Sequence, residues 1–158
     1  MSHELNAMIA TADLLRVVAA EVPAARVVDL AQGLALIPMT DRLHDALQQP
    51  DSSPDLGFKR FPGGNTLRFA AWSKSAPIAY LEAVLPDGPQ RAAVWHDGRL
   101  VLTPDEPSPD AADRALRLLG TDRAGHPDES TALALAALAA HARAAHAHAG
   151  PEQQDATG

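Results

Sequence analysis

Three short apolar segments between residues 77 and 103 constrain the fold more than any other part of the chain. The segment "IAYLEAVL" is followed by "PDGP", then by "QRAAVWH", by "DG" and by "RLVLT". An Asp-Gly pair between two apolar runs is a strong signal for a β-hairpin, because a type I′ turn requires positive φ at both central positions. The pattern therefore predicts an antiparallel meander of three strands over residues 77–103.

The turn lengths predict the register of this meander. The Asp-Gly turn places Trp95 opposite Leu100. The same register places Ala93 opposite Leu102. A four-residue turn between the first two strands places Tyr80 opposite Trp95. Because both faces of such a sheet are largely apolar, we expect helices to cover both faces, or a partner to cover one of them.

Glu82 is the polar exception within the first of these strands. A carboxylate among apolar neighbours is costly unless it is paired, and Arg91 lies diagonally across the predicted ladder. We therefore predict a contact between Glu82 and Arg91. A cross-strand ion pair at the rim of the sheet and a catalytic carboxylate are the two interpretations of this pair.

In the first third of the chain, the pattern predicts a helix, then a strand, then a second helix. Apolar residues recur at three- and four-residue steps over residues 2–22, which predicts an amphipathic helix that ends before Pro23. The run "GLALIPM" (33–39) predicts a buried strand. Thr40 is a suitable N-cap for a second helix over residues 41–49.

The remaining segments complete a single α+β domain. Residues 50–57 are a turn-rich linker, and 66–75 favour a helix over an alternating strand. A helix is predicted over 108–120, because Ser, Pro and Asp stand at its start and Gly stands at its end. A last helix is predicted over 129–148. The expected architecture is a domain over residues 1–149 with a mainly antiparallel sheet of three to four strands, four to five flanking helices and a disordered tail at 150–158.

Composition excludes several classes of function. The formal net charge is −7 and the chain has no cysteine, so disulfides and thiolate chemistry are excluded. Nothing in the sequence resembles a signal peptide, and no apolar run is long enough for a membrane span. We expect a cytoplasmic protein without membrane contact. An acidic balance also disfavours nucleic acid and favours a basic partner.

No strong catalytic, cofactor or metal motif is present. The loop "PGGN" lacks the Lys and hydroxyl residue of a phosphate-binding loop, and no G-x-S-x-G sequence occurs. Asp41, His44 and Asp45 share one helical face, but a solvated face explains them equally well. The C-terminal histidines lie too far apart on a helix for one ion. We predict no catalytic residue, no cofactor and no metal ligand.

The segment "GFKRFPGGNTLRFAAWSKSAPIAY" (57–80) contains four bases, no acid and five of the chain's aromatic residues. Three interpretations are open: a hydrophobic core with a solvated basic rim, an interface for an acidic or mixed protein surface, or a site for single-stranded nucleic acid. The nucleic-acid interpretation requires the bases to form one continuous exposed patch. Phe58 and Phe61 lie in a glycine-rich loop, and we predict that they are exposed and functional.

The run "SAPIAYLEAVLPDGPQRAAVWHDGRLVL" (75–102) and the preceding "GLALIPMTDRLHDAL" (33–47) resemble small acidic proteins of high-GC bacteria. These proteins carry a GPVAY-x-E segment, a Gly-rich turn and an AAVW-x-DG hairpin. Here Ala76 stands where they have Gly, and "VLPDGPQ" replaces the turn. The resemblance covers about half of the chain and implies an α+β domain, with an immunity or accessory role beside a partner. It implies no activity and no functional residue.

Two hypotheses of function follow. The first is a non-enzymatic binding protein, of immunity, antitoxin-like or accessory type, that engages a basic protein partner through acidic surface. Its candidate residues are acids near the second and fourth helices together with the two loop phenylalanines: Asp41, Asp45, Asp51, Asp55, Asp105, Glu106, Asp110, Asp113, Phe58 and Phe61. The alternative is a small-molecule-binding protein or enzyme with a pocket between the sheet and residues 57–75, which uses Glu82, Arg91 and His96.

Overall fold

The computed structural model describes residues 3–50, 56–85, 88–104 and 107–122. They form an α+β fold around one antiparallel six-stranded sheet, in the order β2-β3-β1-β4-β5-β6. The strands are β1 (His3–Thr11), β2 (Val28–Asp29), β3 (Leu34–Pro38), β4 (Ile78–Leu85), β5 (Gln90–His96) and β6 (Arg99–Leu102). The helices are α1 (Ala12–Glu21), α2 (Asp41–Leu47), α3 (Thr66–Trp72) and α4 (Ala111–Leu118). The predicted α+β class is confirmed, but the sheet has more strands than expected.

The prediction of one helix over residues 2–22 is wrong for its first half. That half is β1, which lies at the centre of the sheet and pairs with both β3 and β4. A strand that is buried on both faces is apolar at nearly every position, so periodicity does not distinguish it from a helix. The helix begins only after Thr11, whose hydroxyl accepts a hydrogen bond from the Leu14 backbone N–H at 3.3 Å.

The meander is confirmed, with a register two residues away from the prediction at its first turn. Trp95 lies opposite Ile78, and Tyr80 lies opposite Ala93. The backbone N–H of Val84 donates to the carbonyl oxygen of Pro89 at 2.9 Å, so strand pairing continues closer to the turn than expected. A shift of two residues keeps every side chain of β4 and β5 on its predicted face, because the side-chain period of a strand is two.

The second hairpin has the predicted turn and an unpredicted bulge. Asp97 and Gly98 both have positive φ, and Trp95 lies opposite Leu100 as expected. Leu102, however, lies opposite Val94 instead of Ala93, because the register shifts between the two pairs. Leu100 therefore packs with one face of the sheet and Leu102 with the other.

Two hydrophobic cores lie on the two faces of the sheet. The first, here called the aromatic face, is packed by α1, α2, α3 and the loop before α3, and it contains all six aromatic residues of the chain. The second, here called the aliphatic face, consists of Leu, Ile, Val and Ala side chains, including four from α4. The expectation that helices pack on both faces is confirmed.

Several local predictions hold. The strand within residues 33–39 is β3, and α2 is capped by the Thr40 hydroxyl, which accepts from the Leu43 N–H at 3.1 Å. The helix favoured over residues 66–75 is α3. The fourth helix is present, but it starts at Ala111 with Asp110 at the N-cap, so the prediction that Ser108 and Pro109 begin it is wrong.

Other expectations fall outside the described ranges. The helix predicted over residues 129–148, the tail at 150–158 and most of the linker at 50–57 lie there. Within the described residues, no helix has the length and apolar character required to cross a membrane.

Candidate functional site

A row of three polar residues crosses the central strands at one end of the aromatic face. Asn6 on β1 is the register partner of Glu82 on β4, and Glu82 is the register partner of Arg91 on β5. Alternation along each strand directs these side chains to the same side as the aromatic rings. The row therefore continues the aromatic face as a polar surface.

The Glu82 carboxylate anchors the loop that precedes α3. One oxygen accepts from the backbone N–H of Lys59 at 2.8 Å, and the other accepts from the backbone N–H of Arg60 at 2.5 Å. A loop has no ladder of its own to satisfy its N–H groups, so acceptors from another element stabilise it. Glu82 supplies two of them from the sheet.

The Tyr80 hydroxyl is the third donor to this carboxylate, at 3.1 Å from Oε2. Tyr80 is fully buried. Burial raises the pKa of its hydroxyl well above the usual range, and the negative charge of Glu82 raises it further. Tyr80 therefore remains a proton donor at every physiological pH, and it links the carboxylate to the aromatic core.

The predicted contact between Glu82 and Arg91 is right in position and wrong in partner. The two residues are direct neighbours across the ladder, but the Arg91 guanidinium donates to the carbonyl oxygen of Pro104 at 2.7 Å. The carboxylate is instead satisfied by the three donors from the loop and the core. Backbone N–H groups more than twenty residues away in sequence carry no local signal, so sequence reasoning did not find them.

The loop anchored by Glu82 carries Phe58 and Phe61 into the core, and the prediction that they are exposed partner-binding residues is wrong. Their exposed fractions are 4% and 0%. The Phe58 ring meets Tyr80 edge-on with 4.8 Å between centroids, and Phe61 lies within 6 Å of four other rings. The hydrophobic-core interpretation of the 57–80 segment is therefore correct for its rings.

A cleft of about 400 Å³ opens above the polar row. Its wall is completed by the loop residues Lys59 and Arg60, by Glu4 at the start of β1 and by the turn between β4 and β5. The guanidinium of Arg60 already forms an ion pair with Asp41 at 2.6 Å. A volume of this size lies near the lower end of the roughly 300–1,000 Å³ range of small-molecule sites. The cleft is the pocket expected between the sheet and residues 57–75.

His96 does not belong to this cleft, which corrects the predicted pocket. It is the last residue of β5, five positions from Arg91, and is exposed. Five residues of strand separate the two Cα atoms by about 17 Å. The odd number of steps also places His96 on the opposite side of the strand from Arg91.

Two residues of the cleft, Glu4 and Asn6, were missed because their segment was assigned to a helix. The signal was present in "ELNAMI", where the polar Glu4 and Asn6 alternate with Leu5 and Ala7. This alternation covers only the first half of β1 before the strand becomes apolar on both faces. A four-residue pattern of this kind is too short to outweigh a longer helical periodicity.

Four of the eight acidic candidates lie within the described residues. Asp41 and Asp45 are exposed on α2, but Asp41 pairs with Arg60, and Asp45 lies 3.9 Å from His44. Asp110 is exposed and hydrogen-bonded to Ser108, which lowers its pKa.

Asp113 is half-buried, with a partner of its own. The other four acidic candidates lie outside the described residues: Asp51, Asp55, Asp105 and Glu106.

Charge is balanced over the described residues, which contain equal numbers of acidic and basic side chains. The formal charge of −7 therefore belongs entirely to the rest of the sequence. The basic residues of the 57–80 segment are also dispersed: Lys59 and Arg60 line the cleft, whereas Lys74 lies 3.9 Å from Asp97 at the opposite end of β5. They do not form the continuous patch that a nucleic-acid site requires.

No group of three or more His, Asp or Glu side chains in the described ranges is arranged to hold a metal ion. Comparison with protein-family models, with curated proteins and with solved structures finds no match. The cleft and its polar row are therefore the basis for the assignment of function.

Proposed function

We propose that this protein is a non-catalytic binding protein that holds a small polar molecule in the cleft above Asn6, Glu82 and Arg91. The observation that carries the proposal is the polar row itself. Central strands normally exclude such residues, because burying polar groups opposes folding unless they are paired. Three neighbouring central strands each place one polar residue at the same level, beneath an open cleft.

The hydrogen bonds of Glu82 support binding over catalysis. A carboxylate offers about four acceptor positions, and three are occupied by the loop and by Tyr80. Only about one acceptor position is left for a molecule in the cleft. Glu82 therefore shapes the cleft by holding the loop, and ligand recognition belongs to the residues around it.

A thermal-shift screen with a library of small polar metabolites tests this proposal. A ligand at about 100 times its Kd stabilises a single-site protein by about 2.7 kcal/mol, which raises Tm measurably. We expect at least one compound to raise Tm of the wild-type protein and of an Arg99→Ala control on the exposed strand β6. The shift is expected to fall in Asn6→Ala. A library without any hit, or a shift that Asn6→Ala leaves unchanged, contradicts the proposal.

A second candidate function is the engagement of a basic protein partner through acidic segments. It is favoured by the acidic balance of the chain, whose formal net charge is −7. Acidic segments of this kind accelerate association with a basic surface and select among partners. The resemblance to small acidic proteins implies the same kind of role.

The test is a pull-down from the native host with the wild-type protein and with a variant in which Asp51, Asp55, Asp105 and Glu106 are replaced by their amides. We expect a basic protein in the first sample and its loss in the second. A partner that remains bound to the amide variant, or that is lost on Asn6→Ala instead, contradicts this second candidate.

A further inference from the structure

The cleft carries unpaired charges of opposite sign on different walls. Glu4 and Lys59 are both exposed and both line the cleft. Neither side chain takes part in the ion pairs found among the described residues, where Arg60 is instead held by Asp41. One carboxylate and one ammonium group thus line the same space, where Asn6 lies two positions from Glu4 on β1 and opposite Glu82 on β4.

The sheet sets the spacing between the two sides of the cleft. Glu4 lies opposite Val84, and Arg91 lies opposite Glu82, so the two outer residues are two strands and two positions apart. With strand spacing of about 4.8 Å and a rise of about 3.3 Å, their Cα atoms are about 12 Å apart. This width admits a small molecule, and Lys59 lines the same cleft from the loop.

We propose that the ligand is a small zwitterion of the α-amino acid or dipeptide class. This inference rests on the proposed function of the cleft. The ammonium group of the ligand lies against the Glu4 carboxylate, and its carboxylate lies against the Lys59 ammonium. The Asn6 amide, which both donates and accepts, contacts the polar atoms between the two ends.

Electrostatics favours a zwitterion over a molecule with a single charge. Each exposed pair contributes only about 0–1 kcal/mol, so one charged end gives little affinity or selectivity. A ligand that contacts both Glu4 and Lys59 gains both contributions, but it loses its translational freedom only once. A singly charged ligand brings Glu4 or Lys59 against a like or neutral group, and discrimination between ligands arises from that mismatch.

Calorimetric titration of the full chain tests the inference. The probes are the standard α-amino acids and a set of dipeptides, each as the free zwitterion, the N-acetyl derivative and the C-terminal amide. We expect at least one free zwitterion to bind, and both blocked forms of that compound to bind about threefold more weakly, which corresponds to about 0.7 kcal/mol.

Two variants assign the ends of the ligand. Glu4→Gln is expected to weaken the free zwitterion and to leave the N-acetyl form unchanged. Lys59→Met is expected to weaken the free zwitterion and to leave the amide unchanged. Asp13→Asn and Lys74→Met, exposed charges outside the cleft, are the matched controls and are expected to bind like the wild type.

The outcomes separate this inference from the function on which it rests. Blocked forms that bind as well as the free zwitterion overturn the inference and leave the cleft as a binding site. The same conclusion follows if no amino acid or dipeptide binds while another polar metabolite gives a cleft-dependent shift in Tm. If no small molecule binds at all, the inference and the proposed function are both wrong.

Discussion

On each face of the sheet, a polar side chain of the sheet holds one covering element: a loop on the aromatic face and a helix on the aliphatic face. On the aromatic face a loop rich in Gly and Phe packs its rings against the sheet, and Glu82 accepts its backbone N–H groups. On the aliphatic face α4 packs its alanines against β5, and Gln90 accepts the N–H of Ala112 at 2.9 Å. A loop exposes several unsatisfied donors and a helix exposes them only at its N-terminus, so the loop requires the stronger, charged acceptor.

The largest expected effect comes from removing the ring at the centre of the aromatic face. Phe61→Ala is expected to lower the free energy of unfolding by about 4 kcal/mol, because a large cavity replaces a fully buried ring. Leu116→Ala on the aliphatic face is the matched change, at about 3 kcal/mol. Urea unfolding followed by circular dichroism measures both.

Tryptophan emission distinguishes the two faces in the same experiment, because Trp72 and Trp95 are both buried on the aromatic face. We expect the emission of folded Phe61→Ala to shift to longer wavelength and that of Leu116→Ala to remain as in the wild type. A shift in Leu116→Ala alone contradicts the division into two separate cores.

The second effect concerns Glu82, the charged acceptor that anchors the loop before α3. Glu82→Ala leaves two loop N–H groups and the Tyr80 hydroxyl without their acceptor, and we expect a loss of about 2 kcal/mol because water replaces part of the bonding. Glu82→Gln retains one acceptor oxygen and is expected to lose about half as much. Hydrogen exchange at Lys59 and Arg60 is expected to accelerate in both variants. Unchanged protection of these two amides would falsify the anchoring role.

Gln90, the neutral acceptor at the start of α4, is expected to contribute less to stability. Gln90→Ala removes a tertiary cap from the α4 N-terminus, at a cost of about 1 kcal/mol by analogy with local caps. Asp110→Ala is the control, because Asp110 occupies the N-cap position without a side-chain capping bond. We expect it to destabilise the protein less than Gln90→Ala, as measured by urea unfolding. The reverse order shows that α4 is capped locally.

The smallest effect is a pH dependence confined to the aromatic face. The pKa of Tyr80 is raised by burial and by Glu82, so the folded protein keeps a proton that the unfolded chain releases above about pH 10. Stability from this group is therefore complete below that pH and declines as pH rises beyond it. Tyr80→Phe is expected to lose up to about 1 kcal/mol near neutral pH and to lack this part of the decline.

Tyrosinate absorbance measures the titration directly, because Tyr80 is the single tyrosine of the chain. We expect the signal to appear together with unfolding, above the ordinary tyrosine pKa. A tyrosinate signal with an ordinary midpoint in a still-folded protein contradicts the burial argument.

Part of the candidate site was predictable. The meander, the position of Glu82 beside Arg91 and a pocket facing the 57–75 segment all follow from turn residues and strand alternation. The half of the site that lies on β1 was not predictable, because the polar and apolar alternation at Glu4 and Asn6 is followed by a continuously apolar segment. His96 was misassigned because strand register alone does not determine which end of a strand lies beside a loop.

The sequence by itself determined the local structure: the Asp-Gly turn, the Thr40 cap of α2 and the apolar segments of β3, β4 and β5. These signals act within a few residues, through φ preferences, capping bonds and side-chain period.

Only the tertiary structure decided which polar groups meet. Glu82 binds N–H groups 22 and 23 residues away, and Gln90 caps a helix 22 residues further along the chain. It also buried Phe58 and Phe61, because a flexible loop can deliver its rings to a core only where another element accepts its backbone hydrogen bonds.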